Sequence, residues 1–260
     1  DFGADPETAR VTINDWVSEQ TRDRINDLIP PGIITPDTRL VLVDAIYFKA
    51  AWLFPFVESL TADAPFTLLD GSQVRAPMMA MAEPASLSYA AGDGWQAVAL
   101  PYAGRTAEMV VIVPDEDRFA DFESGLDAQG YEQIVSGMQP NLVRFSMPRF
   151  EFTSDFMLKD ALSGMGMPLA FAEGMADFSG MTDVDRLFIS QVIHKAFIAV
   201  DEAGTEAAAA TAVIMTRESA ILGGPDVILT VDRPFLFVIR DVSTGTVLFA
   251  GRVLDPTMGE

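Results

Sequence analysis

The stretch DEAGTEAAAATAVIMTRES, residues 201–219, carries two structural signals that compete. Its run of alanines favours a helix by intrinsic propensity. The apolar residues just before it, 197–200, predict a strand, whereas Gly223, Gly224 and Pro225 after it indicate a loop. The simplest interpretation is an exposed alanine-rich helix or linker, and the alternative is a segment that can pass from loop to strand.

As a strand, this segment would present one face without charge or bulk, because side chains alternate along a strand. That face would carry Thr205, Ala207, Ala209 and Thr211, and the opposite face would carry Glu206, Ala208 and Ala210. Such a face could enter between two existing strands without a steric clash and without burying an ion. Gly204 supplies a backbone pivot where this insertion would begin.

The order and spacing of these residues resemble the reactive-centre-loop hinge of the serpins, a family of serine protease inhibitors. The family pattern is glutamate, a variable residue, Gly-Thr-Glu and then small residues. The resemblance implies a reactive-centre loop over about residues 202–226. It implies a hinge at Glu202, Gly204, Thr205, Glu206, Ala207, Ala208, Ala209, Ala210 and Thr211.

Composition narrows the possible partners and compartments. The chain has 260 residues, of which 49% are hydrophobic, and this is ample for a packed core. Its net charge of −21 would repel nucleic acid and anionic membranes, so neither is expected as a partner. The absence of cysteine excludes a disulfide framework and suits a bacterial or intracellular protein. An extracellular or periplasmic location is preferred, and a cytoplasmic one stays open.

Local patterns predict both helices and strands. Asp5-Pro6-Glu7 is typical of a helix start, with an aspartate cap and a proline at the first helical position. Residues 39–52 predict one long buried strand, and Asp70-Gly71 predicts a hairpin turn. The remaining predictions are helices over 119–138 and 155–165, and strands over 95–101, 108–114, 143–152, 227–231, 234–241 and 247–253.

Further stretches resemble the same family. One is the strand end Tyr47-Phe48-Lys49-Ala50-Ala51-Trp52 followed by Pro55-Phe56, and another is Asp232-Arg233-Pro234-Phe235 near the C-terminus. Residues 13–25 resemble the helix that lies across the main sheet, although Asp23 stands where the family usually has glycine. The resemblance implies a sheet-opening region at Trp52, Lys49 and His194.

The sequence supports an enzymatic function less well than it supports the resemblance to serpins. Residues 164–170 match a dinucleotide-binding glycine motif superficially, but they close a predicted helix instead of opening one. Ser190, His194 and Asp201 suggest a hydrolase triad. At the strand rise, however, Ser190 and His194 would lie about 13 Å apart, and the chain has no Gly-x-Ser-x-Gly turn. With one histidine and no cysteine, we expect no metal, no cofactor and no enzymatic activity.

The resemblance implies an α+β fold with a large mixed sheet, further sheets, peripheral helices and an exposed reactive-centre loop. We expect residues 1–260 to form a single serpin domain, the larger C-terminal part of the family fold. The helices and strands that precede Asp5 in serpins are missing from the sequence. The chain is therefore expected to be a fragment, a truncated member, or one of two polypeptides.

The function implied is inhibition of a serine protease by a suicide substrate, in which the cleaved loop enters the main sheet and traps the acyl-enzyme. A non-inhibitory binding or scaffold protein, or an inactive fragment, is the alternative. Serpin loops commonly have the scissile bond after about the seventeenth residue counted from the hinge glutamate, so the resemblance implies the bond Glu218–Ser219 when Glu202 is counted as the first. A loop shorter by one residue implies Arg217–Glu218. The first register predicts a glutamate-specific or subtilisin-like target, and the second a trypsin-like one.

Overall fold

The computed structural model describes residues 2–182, 186–205 and 224–258. Contacts divide the chain into two compact units, which we describe separately. Unit one comprises Asp1–Phe48 with Phe152–Ile198, and unit two comprises Lys49–Glu151 with Ala199–Glu260. The single domain inferred from the sequence stays a prediction.

Helices and strands alternate irregularly along the chain, as an α+β fold requires. The elements are α1 (Pro6–Gln20), β1 (Val41–Tyr47), β2 (Ala50–Ala51), β3 (Ala62–Thr67), β4 (Gln73–Ala80), β5 (Ala85–Gly92), β6 (Trp95–Pro101), β7 (Ala107–Pro114), α2 (Phe119–Gly125), α3 (Ala128–Gly137), β8 (Gln139–Pro148), β9 (Phe150–Met157), α4 (Lys159–Gly164), β10 (Gln191–Val200), β11 (Gly204–Thr205), β12 (Val227–Thr230), β13 (Phe235–Asp241) and β14 (Val247–Val253).

Helix α1 of unit one begins as predicted. The Asp5 carboxylate accepts the Thr8 amide at 3.0 Å, and a proline occupies the first turn. Beyond the helix, Asp23 has φ +61°, a left-handed conformation that glycine adopts without a steric penalty. The aspartate therefore keeps the turn for which the family uses glycine.

The predicted strand over residues 39–52 is divided. Its first part, β1, pairs in parallel with β10, from Val41 opposite Gln191 to Tyr47 opposite Phe197. Its last part, β2, lies in unit two and pairs with β11 instead. The interruption falls at Phe48 and Lys49, because the two parts have different partners.

The predicted helix over residues 155–165 is wrong in its first third. The chain remains extended through Met157 because β9 pairs with β10, and the helix α4 begins only at Lys159. Gly166 follows this helix with φ +110°, so the glycines close a helix, as predicted. Tertiary pairing has here overridden the local helical preference.

Unit two is built on a nine-stranded sheet. Its order is β14-β13-β7-β6-β5-β8-β4-β3, with β12 added in parallel to β8. The central strand β7 is almost completely buried, with Val110, Val111 and Ile112 all at 0% exposure. The predicted helix over 119–138 is two helices, α2 and α3, because Asp127 caps a new helix by accepting the Gly130 amide.

The hairpin turn predicted at Asp70-Gly71 is confirmed, and a second turn of this sheet is held in a similar way. In the β3–β4 hairpin, the Asp70 carboxylate accepts both the amide and the hydroxyl of Ser72, and Gly71 has φ +80°. Between β13 and β14, the Asp241 carboxylate accepts hydrogen bonds from Ser243 and Thr244, which lower its pKa to about 2. Local side-chain hydrogen bonds therefore fix both turns.

Candidate functional site

The first residues of the predicted hinge lie in unit two, already paired with strands on both sides. Thr205 of β11 stands opposite Val200, at the end of β10, and opposite Ala50 of β2. Gly204 stands opposite Ala51. Thr205, which belongs to the face expected to enter the sheet, is thus inside it, and its side chain is completely buried.

A buried hydroxyl pair lies at this point. The hydroxyls of Thr205 and Tyr102 are 2.6 Å apart, and the two residues are 0% and 1% exposed. Burial raises the pKa of the Tyr102 phenol, so this group stays neutral and protonated at physiological pH. We call this pair the hydroxyl contact.

Trp52 packs over the same place. Its ring stacks on the Tyr102 ring, with centroids 4.5 Å apart and planes 10° apart. Its indole Nε1 donates to the Asp201 carbonyl at 3.0 Å, and its backbone amide donates to the Ala203 carbonyl at 2.9 Å. The Trp52 side chain thus contacts the turn that leads into the hinge, and its role in opening the sheet stays a prediction.

The turn that leads into the hinge is held by its own aspartate. The Asp201 carboxylate accepts the amides of Ala203 and Gly204 at 2.8 and 3.0 Å. The Asp201 amide donates to the Gly204 carbonyl at 2.9 Å. These bonds return the chain antiparallel to β10 within four residues, which brings Thr205 opposite Val200.

Glu202 forms a second contact, which is charged. Its carboxylate accepts hydrogen bonds from Arg149 at 2.6 Å and from the Thr61 hydroxyl at 2.6 Å. The Glu202 side chain is 6% exposed, whereas that of Arg149 is 49% exposed. Burial by itself raises the pKa of the Glu202 carboxyl, but the bonds from Thr61 and Arg149 outweigh it and hold the pKa below its ordinary value. We call this cluster the ionic contact.

The other residues predicted from the sequence fall elsewhere. Lys49 is exposed at the start of unit two. His194 lies in unit one, where its Nδ1 is 2.8 Å from the Asp44 carboxylate and its ring stacks on Phe156. Residues of the predicted hinge and scissile bond that lie outside the described residues are Glu206, Ala207, Ala208, Ala209, Ala210, Thr211, Arg217, Glu218 and Ser219.

Three partners of the hinge were not found by sequence reasoning. They are Thr61, Tyr102 and Arg149, which lie 141, 103 and 53 positions from their hinge partners. A weak signal did exist for Arg149, because it directly follows Pro148, a residue that marks a bulge or an edge within the predicted strand.

No site for a metal emerges from the described residues, which bring no three histidine, aspartate or glutamate side chains together. Among the same residues, no helix has both the length and the apolar character needed to cross a membrane.

Comparison with known sequences identifies relatives over the whole described chain. The sequence model of the serpin family, described as serine protease inhibitor, matches residues 1–256. An uncharacterized serpin-like protein of Thermococcus kodakarensis is 40% identical, over 100% of this chain and 59% of that protein. Leukocyte elastase inhibitor of Xenopus laevis is 38% identical, over 98% of this chain and 68% of that protein. The chain thus spans about three fifths to two thirds of these relatives.

Comparison with solved structures also identifies members of the serpin family. Uncleaved ovalbumin superposes with a TM-score of 0.85 at 28% identity, covering 98% of this chain and 65% of that protein. Thyroxine-binding globulin in complex with thyroxine superposes with a TM-score of 0.84 at 29% identity, covering 98% and 66%. The α+β fold expected from the resemblance is confirmed. The family match, the sequence relatives and the solved structures agree with one another, and the chain belongs to the serpin family of protease inhibitors.

Proposed function

We propose that this chain carries the working loop of a serpin that inhibits a serine protease as a suicide substrate. The observation that supports this most is the position of Thr205, docked between β10 and β2 at the point from which the small residues of the hinge continue. A strand that begins to form before cleavage gives the rest of the loop a place to enter.

In the proposed inhibition reaction, each bond that forms is matched by a bond that breaks. The protease serine oxygen forms an ester with the carbonyl carbon of the residue before the scissile bond, and the peptide C–N bond breaks. The amine of the new C-terminal fragment leaves with a proton supplied by the protease histidine. The freed hinge then adds to the sheet as a strand, and the ester remains because the distorted protease no longer activates water.

The residue before the scissile bond sets the target. If the bond is Glu218–Ser219, the target is a glutamate-specific or a tolerant subtilisin-like protease; if it is Arg217–Glu218, the target is trypsin-like. We favour Glu218 on loop length. An extracellular or periplasmic serine protease of a bacterium would be a suitable target for the chain.

The length of the chain bears on activity. Because it spans 59% of the Thermococcus kodakarensis relative, inhibition is proposed for this chain together with the remainder of the fold, carried on the same or on a second polypeptide. The same observation supports the alternative, a non-inhibitory binding protein or an inactive fragment.

A denaturing gel tests the proposal. The chain, with the remainder of the fold supplied, is incubated with trypsin, with subtilisin and with a glutamate-specific protease. A band at the summed mass that survives denaturant supports trapping, and mass spectrometry of the released C-terminal fragment identifies the bond. A fragment that begins at Ser219 supports the first register, and one that begins at Glu218 supports the second. Complete cleavage without any such band, by all three proteases, would favour the alternative.

A further inference from the structure

The hydroxyl contact is a neutral pair in a site that is closed to solvent. The Thr205 and Tyr102 hydroxyls lie 2.6 Å apart and both residues are buried, so neither hydroxyl can exchange this bond for water while Thr205 stays docked. A buried hydroxyl that loses its partner destabilises the arrangement more than the bond itself is worth. The pair therefore opposes undocking of Thr205.

Docking of Thr205 also bears on how the loop could insert. Its backbone is paired with Val200 and with Ala50, so the next residues of the hinge would follow in the same register. Ordering the first residue of a new strand is unfavourable, since its conformational entropy is lost before later contacts compensate. A residue that is already docked removes this first step.

We propose that Tyr102 is a positioning residue for inhibition: its hydroxyl holds Thr205 between β2 and β10, so that insertion starts from a docked hinge. This inference rests on the proposed function. Tyr102 acts through Thr205, and its contribution is to the rate at which the cleaved loop begins to enter the sheet relative to the rate of deacylation.

Trp52 provides a signal for docking that does not need a protease. Its indole stacks on Tyr102 and donates to the Asp201 carbonyl, so its environment depends on the hinge as well as on the tyrosine. Amide hydrogen exchange of residues 200–205 gives a second signal.

The test is a double-mutant cycle with Tyr102→Phe, Thr205→Val and the two combined. Each single change removes one end of the bond, and we expect about tenfold faster exchange at residues 200–205, with a red shift of Trp52 emission. The double variant should exchange no faster than Tyr102→Phe, because the second change removes a hydroxyl that has already lost this partner. The matched control is Tyr89→Phe, which removes the hydroxyl that donates to Gln96 in the β5–β6 hairpin and should leave the hinge unchanged.

The outcomes separate the positioning role from a general structural one. Exchange in the β6–β7 pair should not change; an equal acceleration there, or additive effects in the double variant, would overturn the inference. With a protease, and with the remainder of the fold supplied, Tyr102→Phe should raise the number of inhibitor molecules consumed for each protease molecule trapped, and the double variant should partly reverse this. If the hinge undocks in Tyr102→Phe but the number of inhibitor molecules consumed for each trapped protease molecule does not change, the inference is also overturned. If the unaltered chain traps no protease, the proposed function fails, and the exchange cycle still decides whether Tyr102 docks Thr205.

Discussion

Two contacts three residues apart hold the start of the hinge, and they differ in kind. The ionic contact joins Glu202 to Arg149 and Thr61, and the arginine side chain is half exposed. The hydroxyl contact joins Thr205 to Tyr102, and both residues are buried and uncharged. The first depends on pH and is partly screened by solvent, whereas the second is insensitive to both. The chain therefore anchors its hinge by two mechanisms that can be disturbed independently.

The largest effect is expected from Thr205→Arg, which destroys the hydroxyl contact. The guanidinium would lie in a site with no exposure, at a cost of about 3 kcal/mol or more, so the hinge would undock. Insertion would become slower than deacylation, and the protease would cleave the chain without being retained. Stoichiometry of inhibition measures this, and Thr205→Ser, which keeps a hydroxyl, is the control. Equal stoichiometry for the arginine variant and the unaltered chain would contradict the expectation.

Removal of Arg149 should have the next largest effect, because it leaves the buried Glu202 carboxylate without its charged partner. We expect Arg149→Met to lower the free energy of unfolding by about 2 kcal/mol, less than for a fully buried pair, since Thr61 still donates to the carboxylate. Chemical denaturation measures this. Arg144→Met, on the strand β8 that Arg149 follows, removes the same charge from an exposed position and should change little. Equal losses in the two variants would mean that only net charge matters.

The turn between the strands should contribute less than either contact. Asp201→Ala removes the acceptor of two backbone amides and should cost about 1 kcal/mol, whereas Asp201→Asn keeps one acceptor oxygen and should cost less. The melting temperatures of the two variants show which substitution costs more stability. If asparagine proved as harmful as alanine, the negative charge and not the hydrogen bonds would hold the turn.

The smallest effect is expected from pH, and it distinguishes the two contacts directly. The Glu202 pKa in the folded chain is lowered from its ordinary value of 4.5, so its contribution to stability is complete above about pH 4.5 and is lost as the pH falls through the folded-state pKa. The difference in melting temperature between the unaltered chain and Glu202→Gln should therefore shrink on acidification. The corresponding difference for Tyr102→Phe should stay constant over the same range. If the two differences in melting temperature changed in parallel with pH, the distinction between the ionic contact and the hydroxyl contact would be removed.

The sequence contained enough local information to place most of the fold. The Asp5 cap, the Asp70-Gly71 turn and the hinge glycine Gly204 each act through neighbours within a few positions, so their patterns are visible in the chain. The partners of the hinge are not visible in this way, because Tyr102 and Thr205 are brought together by strands far apart in the sequence. The helix expected from residue 155 was wrong for a related reason, since pairing with β10 keeps that segment extended.

On the proposed function, the pairing of β12 with β8 holds the far end of the reactive loop, so that the loop is a segment fixed at both ends. Its two ends are fixed in the same unit, at Thr205 on β11 and at Val227 on β12. A segment fixed at both ends cannot pair along its length with a strand of the sheet unless one of its ends is released. Cleavage by a protease releases an end at once, and without cleavage the four paired residues of β12 would have to separate from β8. On the proposed function, we expect the strength of this four-residue pairing to set how long an uncut loop stays available to a protease.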